Sequence, residues 1–178
     1  SFMGLDMYLY ATRFIWHNDK QLQSTINVAV PCPFSNNPKY IKYEVLYWRK
    51  ANAIHRWFVE NVQDNQDDCG EYYVTRANLR DLRDLCKTII GIACITPGKI
   101  SNGKILKNGK FVPNLIDGMT IKNAEQIASL LPTQSGFFYG NTDYDSYYLK
   151  EIIRTKEVLD KVLEIEDNAW TFEYHSSW

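Results

Sequence analysis

The sequence has no cysteine pair at metal-ligating spacing, no excess of either charge and no apolar run long enough to cross a bilayer. Each absence closes off a class of function. The four cysteines, Cys32, Cys69, Cys86 and Cys94, never form a Cys-x-x-Cys pair, so no metal site is expected. Cysteines used this way suit a reducing cytosol, and Cys86 and Cys94 read as small core residues. Twenty basic and 21 acidic residues leave a net charge of −1. General coating of nucleic acid is excluded on that ground, because phosphate affinity needs a dense basic face. Without a long apolar run no membrane partner is expected. The segment Met3 to Tyr8 carries an acid where a signal peptide has basic residues, so none is expected there. Ser1-Phe2 reads as a remnant of expression. Also missing are Gly-x-x-x-x-Gly-Lys-Ser/Thr, Gly-x-Gly-x-x-Gly, Gly-x-Ser-x-Gly and His-Glu-x-x-His. No cofactor is expected, and nucleotide hydrolases and metalloproteases gain no support.

What the chain does have is aromatic surface. Of its 178 residues, 45% are apolar and 14% aromatic, with 12 tyrosines and five tryptophans. The length suits one domain that needs no staple. Alternation predicts strands over Met3 to Ile15, Tyr40 to Trp48, Glu71 to Val74 and Ala169 to His175. A further edge strand is expected over Thr25 to Val30, and a short one over Phe137 to Tyr139. Helical spacing predicts helices from about Lys50 to Val62, from Leu79 to Ala93 behind a Thr75 cap, and over Asp145 to Glu166. A shorter helix is expected over Lys122 to Leu131. Thr96-Pro97-Gly98 reads as the stop of the second helix, and Thr142 with Asp145 as a capping box on the last. Two Asn-Gly pairs mark Lys99 to Lys110 as a small hairpin or loop insertion. The sum is a single α+β domain: a mainly antiparallel sheet with about three helices packed on one face.

Two blocks mix rings with polar and charged side chains: Tyr47 to Phe58 and Leu131 to Asp145. In the first, Arg49, Asn52 and Arg56 stand at steps of three and four and are expected on one helix face, where two guanidiniums and an amide hold a phosphate or carboxylate. Trp48 would stack on a flat ligand. The plainer alternative is a solvated face. In the second block Gln134, Phe137, Phe138 and Tyr144 supply stacking and hydrogen bonds. Asp143 and Asp145 sit where a helix start favours acids, so capping competes with catalysis for them. His55 borders the apolar stripe of its helix. It is either a hydrogen-bonded core histidine or a general base partnered by Asp143, Asp145 or Glu71. Asp67, Asp68 and Glu71 read as a solvated acidic turn, or as oxygen ligands for a hard cation. The lysines of the insertion, Lys99, Lys104, Lys107 and Lys110, read as solvated or as phosphate contacts.

The blocks Tyr47 to His55, Cys69 to Val74, Leu130 to Phe138 and Thr142 to Tyr148, with the start Met3 to Leu9 and the end Tyr174 to Trp178, resemble an uncharacterised family of small proteins of tailed bacteriophages and prophages. The resemblance spans nearly the whole chain. It implies a viral accessory protein acting in the cytoplasm of an infected bacterium, transfers no catalytic residue, and makes Lys99 to Lys110 a lineage-specific insertion. Three readings follow. The leading one is a non-enzymatic binding protein for host modulation or counter-defence, recognising a small anionic or nucleotide-like ligand or a host protein. The second is a small hydrolase or nucleotide-processing enzyme using His55. The third is a self-associating module, a homo-oligomer built on Trp57, Tyr147, Tyr148 and Trp178.

Overall fold

The computed structural model describes residues Met3 to Trp178; Ser1-Phe2 lies outside them. In chain order the elements are β1 (Asp6–Phe14), α1 (Lys20–Ala29), β2 (Tyr40–Arg49), α2 (Asn52–Asn61), β3 (Glu71–Val74) and α3 (Arg76–Ile92). There follow β4 (Ile95–Lys107), β5 (Lys110–Ile121), α4 (Ala124–Leu130), α5 (Ser146–Glu164) and β6 (Trp170–Ser177). Four strands form one antiparallel sheet in the order β2-β1-β6-β3, and β4 and β5 form a second, two-stranded antiparallel sheet. The fold is therefore α+β.

Alternation sorts the sheet into two faces. Met7, Leu9, Leu46, Trp48, Phe172 and Tyr174 point inward. They meet Ile54 and Phe58 of α2, Leu79, Leu82 and Ile89 of α3, and Ile152 and Leu159 of α5 in one core. The stripes of α3 and α5 follow the helical period, and Thr75 caps α3 by accepting from the Asn78 amide. On the outward face Tyr8 stacks on Tyr10 at 5.6 Å between ring centres, and the Lys42 ammonium lies 4.8 Å from the Tyr10 ring centre.

Several local expectations change. The four expected helices are present as α2, α3, α4 and α5, and α1 adds a fifth among the described residues. Thr25 to Val30, expected as an edge strand, falls largely in α1. Asp19 opens that helix by accepting from the Leu22 amide, and this cap outweighs the β-branched residues that follow. Thr96-Pro97-Gly98 does not end α3; the helix stops at Ile92, and these residues lie in β4. Phe137 to Tyr139 is turn rather than strand. Thr142 and Asp145 form no capping box. Asp145 is itself the cap of α5 and accepts from the Tyr147 and Tyr148 amides, while the Thr142 carbonyl accepts from the Thr133 hydroxyl.

Residues Lys99 to Lys110 form the outer part of a long two-stranded arm. Asn108 and Gly109, with φ of 52° and 75°, make its end turn. Asn102-Gly103 makes no turn; the register shifts there, a bulge within the arm. Proline at positions 97 and 113 is tolerated because both strands of a ribbon are edges.

Candidate functional site

The two aromatic blocks meet, and Asn52 joins them. This side chain is buried at the start of α2. Its amide nitrogen donates to the carbonyls of Tyr139 and Asn141, both at 2.9 Å, and its oxygen accepts from the Gln134 amide at 2.9 Å. A backbone bond from the Leu5 amide to the Phe138 carbonyl, also 2.9 Å, ties the same loop to the chain start. Gly140, at φ 80°, passes the Lys50 stem so closely that an added Cβ would sit 3.1 Å from it.

Beneath the loop lies a polar network around His55. Its ring is fully buried on α2. Nε2 is 2.9 Å from Asp67 Oδ1, and Nδ1 is 2.6 Å from the Tyr174 hydroxyl. A carboxylate only accepts, so the proton sits on Nε2 and Nδ1 accepts from Tyr174. Burial pulls the imidazole below its ordinary value, against the attraction of Asp67. It is neutral at pH 7, so its contact with Asp67 is a hydrogen bond rather than an ion pair. Asp67 also accepts from the Tyr139 hydroxyl, and from Trp178 Nε1 at 3.1 Å. Burial first, and then the Asp67 carboxylate, push Tyr139 far above its usual range. The network holds phenols, an imidazole, an indole and a carboxylate. None is an activated nucleophile, and the imidazole has no face toward solvent.

The expected site residues divide accordingly. Trp48 is fully buried and donates to the Thr155 hydroxyl at 2.8 Å, so it offers no ring to a ligand. Arg49, Asn52 and Arg56 share no helix face: Arg49 ends β2 and pairs with Asp6 at 2.7 Å, Asn52 is inside, and Arg56 pairs with Glu60 at 2.7 Å. The chain turns at Lys50, whose φ is 55°, so helix begins after it rather than at Arg49. Gln134 is held by its backbone. The Tyr144 hydroxyl accepts from the Thr133 amide at 3.0 Å.

The acids proposed for His55 do not reach it. Asp143 lies against Ser101 at 3.2 Å, and Glu71 faces Lys42 at 3.7 Å. Asp145 caps α5, with its carboxyl raised by burial despite its two amide bonds. The acid that does reach His55 is Asp67, which the sequence placed in a solvated turn. Trp57 and Tyr148, expected in an exposed aromatic patch, are buried and half-buried; Tyr147 and Trp178 are exposed.

What remains on the surface is a ring cluster at the loop tip. Phe137 is 89% exposed and meets Phe138 edge-on at 4.8 Å between ring centres; Phe138 in turn stacks on Trp178 at 6.4 Å. Two hollows lie elsewhere. One is an apolar groove between the base of the β4–β5 arm and α5, the other a polar hollow along α1, and residues of neither block line them. Among the described residues no three His, Cys, Asp or Glu side chains are placed to hold a metal ion, and no helix is long and apolar enough to cross a membrane. Comparison with family models, with curated proteins and with solved structures returns no match.

Proposed function

We propose that this chain is a non-enzymatic binding protein whose contact surface is the Phe137, Phe138 and Trp178 cluster, and that its partner is a protein. The single observation that carries the reading is a fixed loop holding an exposed ring. Asn52 and Asp67 secure the loop at several points, yet Phe137 projects into solvent. A preorganised aromatic side chain loses little freedom on binding, which is the character of an interface anchor. The groups expected to hold an anion, Arg49, Asn52, Arg56 and Gln134, are engaged within the chain, which favours a flat protein contact over a small anionic or nucleotide-like ligand. The resemblance to tailed-phage proteins points to a bacterial host as the source of that partner, and to host modulation or counter-defence as the purpose.

Immobilised wild-type chain and the Phe137→Ala, Trp178→Ala double variant, challenged with bacterial lysate, test the reading. A protein retained by the first and lost by the second is the expected result. Equal retention by both, together with heat of binding from a nucleotide in calorimetry, would transfer the function to the small-ligand class.

A further inference from the structure

The β4–β5 arm leaves one largely apolar face uncovered. Strand pairing puts Ile95, Pro97 and Met119 on that face near the base, the paired Lys99 and Asp117 beyond them, Leu115 midway, Lys104 beside Pro113, and Leu106 with Phe111 near the tip. The bulge at Asn102-Gly103 keeps the outer residues in phase, because it adds one residue to β4 and none to β5. Leu115 is 59% exposed, Leu106 65% and Phe111 75%. At the base the same face opens into a groove of about 390 Å³, where Ile95 and Met119 stand opposite Leu149 and Ile153 of α5, with Lys150, Arg154 and Glu157 also lining it. The groove and the outer strip share this face, with the Lys99–Asp117 ion pair between them. A two-stranded ribbon is marginal in water without a third layer, and an apolar face of this length marks an interaction site.

We propose that this face packs against the same face of a second copy of the chain, about a two-fold axis passing near Leu115. The two ends of the strip are complementary: protruding Leu106 and Phe111 at one, a groove at the other. Antiparallel alignment seats both tips in both grooves at once and closes the assembly. Charge along the two arms favours the same alignment. From Lys99 to Asp117 the arm carries four lysines and one aspartate, three positive charges on balance. Lys99 is already paired with Asp117 at 2.5 Å. Parallel arms would stack the tip lysines on each other. Antiparallel arms hold the tips about 30 Å apart, from the rise of a strand, and bring Lys104 level with Asp117 of the second copy. A nucleic acid fits less well. The chain as a whole is −1, so everything outside the arm carries four excess negative charges and repels a phosphate polymer. The interleaved apolar side chains would stay wet on such a partner.

Sedimentation equilibrium of the full chain tests the proposal. Twice the chain mass is expected for the wild type, and the chain mass for Phe111→Asp and Leu115→Asp, with circular dichroism unchanged because both side chains are exposed. A cross-linking pair then tests the axis. In a chain with Cys32, Cys69 and Cys94 replaced by serine, Leu115→Cys oxidises to a covalent dimer and Lys110→Cys does not. A wild-type monomer at every concentration, a dimer indifferent to Phe111→Asp, or cross-linking at position 110 in preference to 115 would each overturn it. So would a monomer that binds duplex DNA through the arm lysines.

Discussion

The loop from Gln134 to Asn141 and the arm from Ile95 to Ile121 are both irregular in sequence, yet they are held by opposite means. The loop has no strand partner. Groups from distant elements fix it: the Asn52 side chain from α2, the Asp67 side chain from the turn after α2, and the Leu5 backbone amide from the chain start. The arm has full strand pairing along its length but joins the body mainly at its base, where the Ile121 amide donates to the Tyr144 carbonyl at 3.0 Å. Backbone pairing alone leaves a ribbon free to present an apolar face. Side-chain pinning gives a loop with one defined shape and one exposed ring. The first arrangement suits assembly of like chains, the second recognition of something else.

Cutting the pins breaks the comparison most severely. Asn52→Ala strands two carbonyls and one amide at once, and unpaired buried groups cost about 1–3 kcal/mol each. We expect a loss of about 3 kcal/mol in urea unfolding, with loop resonances broadened and arm resonances unchanged. Asp67→Ala removes the acceptor shared by His55, Tyr139 and Trp178. Its side chain is partly exposed, so water substitutes in part, and a loss of about 2 kcal/mol is expected in the same measurement.

His55 gives a subtler break. Its pKa is lowered on folding from an ordinary 6.5, so below that value the unfolded chain binds the extra proton and the folded chain resists it. Its contribution is complete above pH 6.5 and falls as pH drops toward the folded pKa, by at most about 1.4 kcal/mol per pH unit. Thermal unfolding of His55→Gln between pH 7 and pH 5 should show a shallower decline than the wild type. An equal decline would show that the ring takes up its proton in the fold.

The smallest effect belongs to the arm. Gly109→Ala forces a side chain into φ 75°, a strain of about 1 kcal/mol. We expect faster amide exchange near the tip and an unchanged unfolding midpoint. A lowered midpoint would mean that the arm is integral to the core.

Much of the fold was legible because it rests on period. The helices α3 and α5 and the strands β1, β2 and β6 carry apolar stripes at steps that only one backbone geometry turns inward. Failures came where local signals competed. Proline and glycine at 97 and 98 read as a helix stop, whereas a ribbon with two edges accepts both. Thr25 to Val30 read as strand because no apolar stripe marked α1, whose one buried residue is Gln23. The site was half legible. Sequence singled out both blocks and their meeting, and it allowed a hydrogen-bonded, structural His55. The burial of Trp48 and Asn52 was hidden, because each is decided by a partner across the fold: Thr155 for one, Gln134 and Tyr139 for the other. Asp67 could not be told from its acidic neighbours, since its donors Tyr139 and Trp178 lie 72 and 111 residues further along the chain.

Residue-resolved hydrogen exchange of the wild type and of Asn52→Ala tests the pinned loop most directly. In the wild type the amides of Leu5 and Gln134 should exchange only through large-scale opening, as core amides do. In the variant their protection should collapse while that of the arm is kept. A Gln134 amide that exchanges freely in the wild type, or one equally protected in both, would contradict the account.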